Sequence, residues 1–276
     1  MAHRFTYLSG LFFVIFAFSA CEKVIEIDLS GSKEAIVIEA TITNTKLPFT
    51  VLVSKTSPYF GTKTSNPVSG AKVSIRAEKG KVKYFYDELA PGYYQLKNIL
   101  AFAGSWYIVD VEYEGITYSA RSFMNEVVPI ADFSFSYFDG MGFFDSGYKV
   151  STYIRDPVNR ENFYRLKYYV NGQSTDNQGE ITLYSDQLFN GKDIGLGQRS
   201  IVFQEDDTIT IELQSIDEAI YTYFSTLESI SGNELQQSAS PSNPISNFNN
   251  GALGYFSAYT FDQRTVIIKD YLKNKQ

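Results

Sequence analysis

From residue 35 onward the chain is written in short runs in which apolar and polar residues alternate, each closed by Gly, Pro, Asn or Asp. A period of two puts successive side chains on opposite faces of a strand, whereas a helix needs a period near 3.6. The apolar positions are bulky and β-favouring, with 22 Phe and 21 Tyr among 276 residues. The pattern predicts a mainly β protein. Strands are expected at 35–42, 49–56, 71–77, 81–86, 92–96 and 106–113, the last turning at Glu114-Gly115 into 116–122. Val127-Val128-Pro129 marks a boundary. Beyond it strands are expected at 133–138, 148–154, 162–170, 180–184, 200–204, 208–214 and 265–269.

One segment departs from this pattern. Ile216, Ile220, Phe224 with Tyr223, Leu227 and Ile230 recur at helical spacing, predicting an amphipathic helix over 216–231. Ser215 is placed to cap it, Glu218 to complete a capping box and Gly232 to stop it. Its apolar stripe is expected to pack on the second sheet. The order of Pro67-Val68-Ser69-Gly70 before an alternating strand, then Pro91-Gly92-Tyr93-Tyr94, resembles the small β-sandwich of carboxypeptidase-regulatory-like and transthyretin-like modules. Residues 34–126 are therefore expected to form an Ig/transthyretin-like sandwich. Residues 127–276 are expected to form a second β-rich domain carrying the helix.

The N-terminus carries a different signal. A polar stretch with Arg4 precedes an apolar run over 8–18, about half the roughly twenty residues needed to span a bilayer. It has the length of a secretory h-region and ends at Phe18-Ser19-Ala20-Cys21, which resembles the bacterial lipobox, with Phe18 where Leu is commonest. Residues 1–20 are expected to be a cleaved signal peptide, with Cys21 acylated and 21–33 a tether. The competing readings are an ordinary secretory signal and a buried N-terminal helix. Two or three acyl chains hold a protein on a membrane where one does not, so the expected location is the outer membrane. Glu22, Glu26 and Asp28 resemble the acidic signals that send lipoproteins of Bacteroidetes-type bacteria to the cell surface; a solvated linker is the equal alternative.

Loss of residues 1–20 removes His3, the single His, and acylation consumes the single Cys. A mature chain without thiol or imidazole has no disulfide, no Ser-His-Asp or Cys-His catalysis and no His/Cys zinc site. No cofactor or metal is expected. Carboxylate chemistry, as in a glycosidase pair, stays open. The mature chain would keep 23 basic against 31 acidic side chains, a net charge near −8, which opposes nucleic-acid binding and disfavours electrostatic adhesion of the chain as a whole to anionic lipid.

Residues 137–145, Tyr137-Phe138-Asp139-Gly140-Met141-Gly142-Phe143-Phe144-Asp145, form a Gly-broken aromatic loop. Tyr137, Phe138, Phe143 and Phe144 are candidate partner or ligand contacts if exposed, and core residues if the loop folds back. Glu205-Asp206-Asp207 reads as an acidic turn rather than a calcium loop, and Gly191 to Gly197 as a flexible loop. Residues 233–256 read as a long surface loop, with Phe248, Tyr255 and Phe256 as further candidate contacts. The run Asn249-Asn250-Gly251-Ala252-Leu253-Gly254-Tyr255-Phe256-Ser257-Ala258-Tyr259 resembles the C-terminal signature of the DUF4249 lipoproteins of Bacteroidetes. The Cys-Glu-Lys-x-Ile-x-Ile-Asp-Leu start at 21–29, the turn at 68–73, Gly92-Tyr93-Tyr94 and the strand–helix pair 208–231 extend the resemblance. That family is one of unknown function whose genes often lie beside TonB-dependent outer-membrane transporters. The resemblance thus implies a transporter partner and brings no catalytic residues. The leading expectation is a non-enzymatic accessory lipoprotein of such a transporter. A stand-alone glycan-binding or adhesin-like module and a carboxylate-dependent hydrolase are the alternatives.

Overall fold

The computed structural model describes residues 34–45, 48–56, 66–97, 99–142, 145–175, 181–198, 201–231 and 243–275. The expected signal peptide, Cys21, the tether, Phe143, Phe144 and Gly232 lie outside these residues. The protein is mainly β. The first half carries β1 (Ile36–Thr43), β2 (Phe49–Lys55), β3 (Asn66–Pro67), β4 (Lys72–Ala77), β5 (Tyr84–Phe85), β6 (Asp87–Ala90), β7 (Tyr93–Leu96), β8 (Ser105–Tyr113) and β9 (Ile116–Met124). The second carries β10 (Ile130–Phe138), β11 (Gly147–Arg155), β12 (Phe163–Val170), β13 (Gln173–Ser174), β14 (Thr182–Ser185), β15 (Asp193–Gly197) and β16 (Thr208–Ile216). Helix α1 (Glu218–Ser231), β17 (Leu253–Ile267) and helix α2 (Ile268–Asn274) complete it.

The alternation seen in the sequence becomes burial. In β1 the residues Ile36, Ile38, Ala40 and Ile42 point inward while Glu39 faces solvent. Together with Val51, Val53 and Tyr94 they meet Val73, Val109 and Val111 of the sheet β5-β4-β8-β9 in a first core. Leu166, Ile211 and Leu213 meet Ile130, Val150, Ile154 and Leu196 of the sheet β10-β11-β15 in a second core. Each such aliphatic side chain contributes about 1.5–3 kcal/mol on leaving water. The expected boundary at 126/127 falls between the two cores. Phe248, Ala252, Phe256 and Ala258, however, return from the second half to pack in the first core.

That return is made by β17, which begins at Leu253 inside the expected 233–256 loop and ends at Ile267 inside the expected 265–269 strand; of that loop, 233–242 lie outside the described residues and 243–252 carry no strand. Over 15 residues β17 pairs parallel to β1 from Leu253 to Tyr259, then antiparallel to β16 from Thr260 to Ile267. One continuous sheet, β13-β12-β16-β17-β1-β2-β7-β6, thereby serves both cores. The close approach of β17 to β1 depends on Gly254, whose φ is +89° and whose missing Cβ would stand 2.1 Å from the Ile38 carbonyl oxygen. Asn and Gly in this segment read as loop chemistry, but here the glycine admits a strand.

Smaller corrections follow the same logic. Gly191 to Gly197 is not a free loop: Asp193–Gly197 is β15, paired to β11, with the Tyr153 ring lying over Gly195. Of the expected strand 200–204, Ser200 lies outside the described residues and 201–204 supply one bridge, Phe203 to Tyr148, rather than a strand. Residues 268–274 are helical, too short a stretch to show a period in sequence. The 216–231 helix begins at Glu218, and its cap is Asp217, whose Oδ1 accepts from the Ile220 amide at 3.0 Å. Ser215 stays in β16 opposite Thr260. The apolar stripe packs as expected on the outer face of the long sheet, Ile220, Tyr223 and Phe224 meeting Phe163, Tyr255 and Tyr259.

Asp217 also joins the two halves. Its Oδ2 accepts from Ser122 Oγ at 2.7 Å and from the Phe123 amide at 2.8 Å, while Asn125 Nδ2 donates to the Ile216 carbonyl at 2.7 Å. Ser122 Oγ in turn accepts from the Ala258 amide at 2.9 Å. Burial pushes the Asp217 carboxyl pKa up, and these donors draw it back. We expect Asp217→Ala to lose about 2–4 kcal/mol in denaturant unfolding, since it orphans buried donors and removes a cap. We expect Gly254→Ala to cost about 3–5 kcal/mol, because neither its φ nor the Ile38 carbonyl can accept a methyl. Wild-type-like midpoints would show that β17 can slide off β1 freely.

Candidate functional site

The β10–β11 hairpin gathers the exposed apolar residues picked out in sequence. Tyr137 pairs with Tyr148 and Phe138 with Gly147 at the last rungs of the ladder. Inward alternation would bury Tyr137, but the ladder ends there, so its ring is 59% exposed and rests edge-on to Tyr148 at 5.2 Å. Phe138 is half-buried under the Lys149 ammonium, 4.5 Å from the ring centroid. Gly140 and Gly142 both have positive φ, so the chain reverses with Met141 at the turn, 72% exposed. The base of the hairpin is held hard. Phe203 is buried against Tyr168 and exchanges backbone bonds with Tyr148 at 2.8 and 2.9 Å, and Gln204 Nε2 donates to the Ser146 carbonyl at 3.2 Å. A braced base and an apolar, Gly-hinged tip suit a contact surface better than a reaction centre.

The other expected contacts are corrected. Phe256 is fully buried and Phe248 nearly so, both in the first core, so neither can meet a partner. Tyr255 is held between Tyr223 and Phe224 of α1, with ring centroids 4.8 and 5.0 Å away. The amides of this signature run are structural as well. Asn247 brackets Phe256 with two bonds of 2.9 and 2.8 Å, Asn249 Oδ1 accepts from the Ser119 amide at 2.7 Å, and Asn250 Nδ2 donates to the Thr117 carbonyl at 2.8 Å. They clip β9 to the start of β17. Only the apolar character of Phe248 and Phe256 could have signalled this in sequence.

Carboxylates were the remaining chemical candidates. Asp156 and Asp186 are buried, the first accepting from Tyr164 Oη at 2.5 Å and the Gly191 amide at 2.8 Å, the second from Asn162 Nδ2 at 3.1 Å. They tie the 156–162 and 186–192 loops together. An open cleft of about 380 Å³ beside α2 holds Asp132, Asp270 and Arg264. There Asp132 accepts from Lys275 Nζ and from Tyr271 Oη, both at 2.5 Å, which hold its carboxyl pKa down near 2. A glycosidase acid needs a carboxyl kept protonated near neutrality, the opposite of this environment. A second groove, of about 440 Å³, lies on the outer face of β1 and β2 and contains Glu39 as its single carboxylate. Among the described residues no group of three or more His, Cys, Asp or Glu is placed to hold a metal. Glu205, Asp206 and Asp207 form an acidic turn in which Asp207 Oδ2 accepts from the Gln204 amide and Asp206 pairs with Lys269. No helix among the described residues is long and apolar enough to cross a membrane.

A family model described as a domain of unknown function, DUF4249, matches residues 22–265. No curated protein matches. Among solved structures, the FN1–FN3 domains of chicken CNTN1 align with 11% identity and a TM-score of 0.27 over 67% of this chain; the chain covers 61% of that structure.

The Asp132 cluster makes a pH prediction. Its folded pKa lies below the ordinary carboxylate value of 3.8, so its contribution to docking α2 is present above that value and lost as pH falls through about 2. Amide protection in 268–274, measured against the intrinsic exchange rate at each pH, is therefore expected to fall between pH 4 and 2, and in Asp132→Asn to be low already at pH 5. Equal protection in the variant would mean that packing of Tyr271 on Phe133 and Phe135 alone holds the helix.

Proposed function

The chain belongs to the DUF4249 family, and from that premise we propose that it is a non-enzymatic outer-membrane lipoprotein, held by acyl chains on Cys21, that assists a TonB-dependent transporter in nutrient uptake. The observation that carries this reading is the separation of its two ends along β17. The described chain enters at Glu34, beside the start of β1, where Val37 pairs with Leu253 at the first residue of β17. The β10–β11 tip lies past the other end, where Asp207, Gln204 and Ser146 gather around Ile268. Fifteen extended residues separate the two, about 50 Å. A braced apolar hairpin remote from the point where the described chain enters fits a protein whose far end meets a neighbour. A mature chain without imidazole or thiol, and an Asp132 held ionised, speak against hydrolysis.

Exposed Tyr137 and Tyr153 also suit stacking on a sugar ring, so the test separates the two readings. The tagged full chain, cross-linked in its own cells and purified, is expected to bring down an outer-membrane barrel. Tyr137→Ser with Met141→Ser should weaken the capture about 30-fold, the effect of losing a 2 kcal/mol interface anchor. Recovery of the chain without any barrel, or with capture unchanged by these substitutions, sinks the transporter reading. Glycan-array binding that the same pair abolishes would put the stand-alone module in its place.

A further inference from the structure

The first sandwich carries a second exposed surface, unlike the rest of this acidic chain. Five of its 24 basic residues, Lys72, Arg76, Lys79, Lys81 and Lys83, fall between positions 72 and 83, with Glu78 the single acid among them. They lie on β4 and on the turn into β5, the edge strand of the sheet β5-β4-β8-β9. Interleaved with them, Val82, Tyr84 and Phe85 are 57%, 42% and 51% exposed. Alternation puts inward-type residues here, but β5 has only two residues and nothing beyond it, so the apolar groups stay in solvent.

Of the acids around this edge three are engaged, while Asp87 after β5 and Glu112, in register with Lys72, stay exposed. Asp110 is held by Lys83 at 2.9 Å and by Ser119 Oγ at 2.6 Å, and Glu78 faces Arg121 at 3.8 Å. Glu88 accepts from Ser69 Oγ and the Gly70 amide at 2.5 and 2.9 Å. Lys79 and Lys81 carry no ion pair among the described residues, and Lys72 rests over the Phe85 ring at 5.4 Å. At the turn itself, among the described residues, the unpaired charges are those of Lys79 and Lys81, beside the exposed Val82, Tyr84 and Phe85.

We infer that the edge formed by Lys79, Lys81, Val82, Tyr84 and Phe85 docks on an anionic lipid surface. Lysines supply attraction to headgroup phosphate, and aliphatic and aromatic tips enter the interface. A protruding edge without a concavity suits a flat lipid surface better than a small anion. The inference adds to the transporter reading and rests on its lipid anchor only for the membrane's being near.

The single Trp of the chain reports on this edge, because the Glu78 amide donates to the Trp106 carbonyl at 2.8 Å and the indole is half-buried beneath Arg121. The acylated full chain, purified from membranes, is reconstituted in vesicles of phosphatidylcholine alone or mixed equally with phosphatidylglycerol, each with a headgroup-level quencher lipid. Quenching of Trp106 is expected in the mixed vesicles and not in the neutral ones. It should fall to the neutral level in about 1 M NaCl, where charges are screened beyond about 3 Å. Lys79→Gln with Lys81→Gln should weaken docking about 30-fold. Equal quenching in both vesicles, its absence from both, or insensitivity to salt would overturn the proposal, and the salt series needs no variant. Retention of the chain by the vesicles reads the Cys21 anchor separately, so failure of the anchor and failure of the edge are distinguished.

Discussion

The pairing of β17 with two different partners is the interaction on which the rest of the structure depends. Its first seven residues complete the sheet of the first sandwich beside β1, and its last eight complete that of the second beside β16. Two sandwiches joined only by the segment after Met124 would have been free to reorient. A strand shared between their sheets makes any reorientation break ladder hydrogen bonds, and Asp217 adds charged-group bonds across the same junction. The condition for all of this is local. At Gly254 the backbone of β17 passes so close to Ile38 that no side chain fits.

This arrangement explains where the polar residues of the 247–259 run are used. A parallel neighbour for β1 has to come from a long crossover, and its incoming chain needs partners that no ladder supplies. Asn247, Asn249 and Asn250 provide them with side-chain amides that imitate strand pairing along β9. The aromatics of the run divide by alternation, Phe256 into the first core and Tyr255 outward under α1. A run that looks like a recognition loop is therefore the fastening of the fold, and the surfaces left for partners lie elsewhere.

Those surfaces arise where strands run out. The β10–β11 ladder ends with Tyr137 still carrying an inward-type ring, and β5 ends the edge of its sheet with Val82, Tyr84 and Phe85 uncovered. In both places the alternation that builds a core continues past the core, so apolar groups meet solvent. The two differ in charge. The hairpin bears Asp139 and Asp145, while the edge of the first sandwich concentrates lysine, and a single chain so offers two chemically distinct contact regions.

The mainly β architecture, most strand positions and the amphipathic helix were legible in the sequence, because alternation and helical spacing are local properties. The acidic turn at 205–207 was legible for the same reason. The helix cap was misassigned to Ser215 because Ser215 and Asp217 both offer an oxygen near the helix start. The choice fell to Asp217 because Ser215 is held in the β16 ladder opposite Thr260. β15 and β17 were missed because glycine reads as a turn wherever it stands; only a neighbouring strand, the Tyr153 ring in one case and the Ile38 carbonyl in the other, shows that it is there to admit close approach. The sequence by itself determined which side chains favour strand and which face each would take. Tertiary structure alone decided which strands became neighbours, and so whether Phe256 or Tyr137 met the solvent, because pairing depends on contacts between residues as far apart as Val37 and Leu253, which no local pattern records.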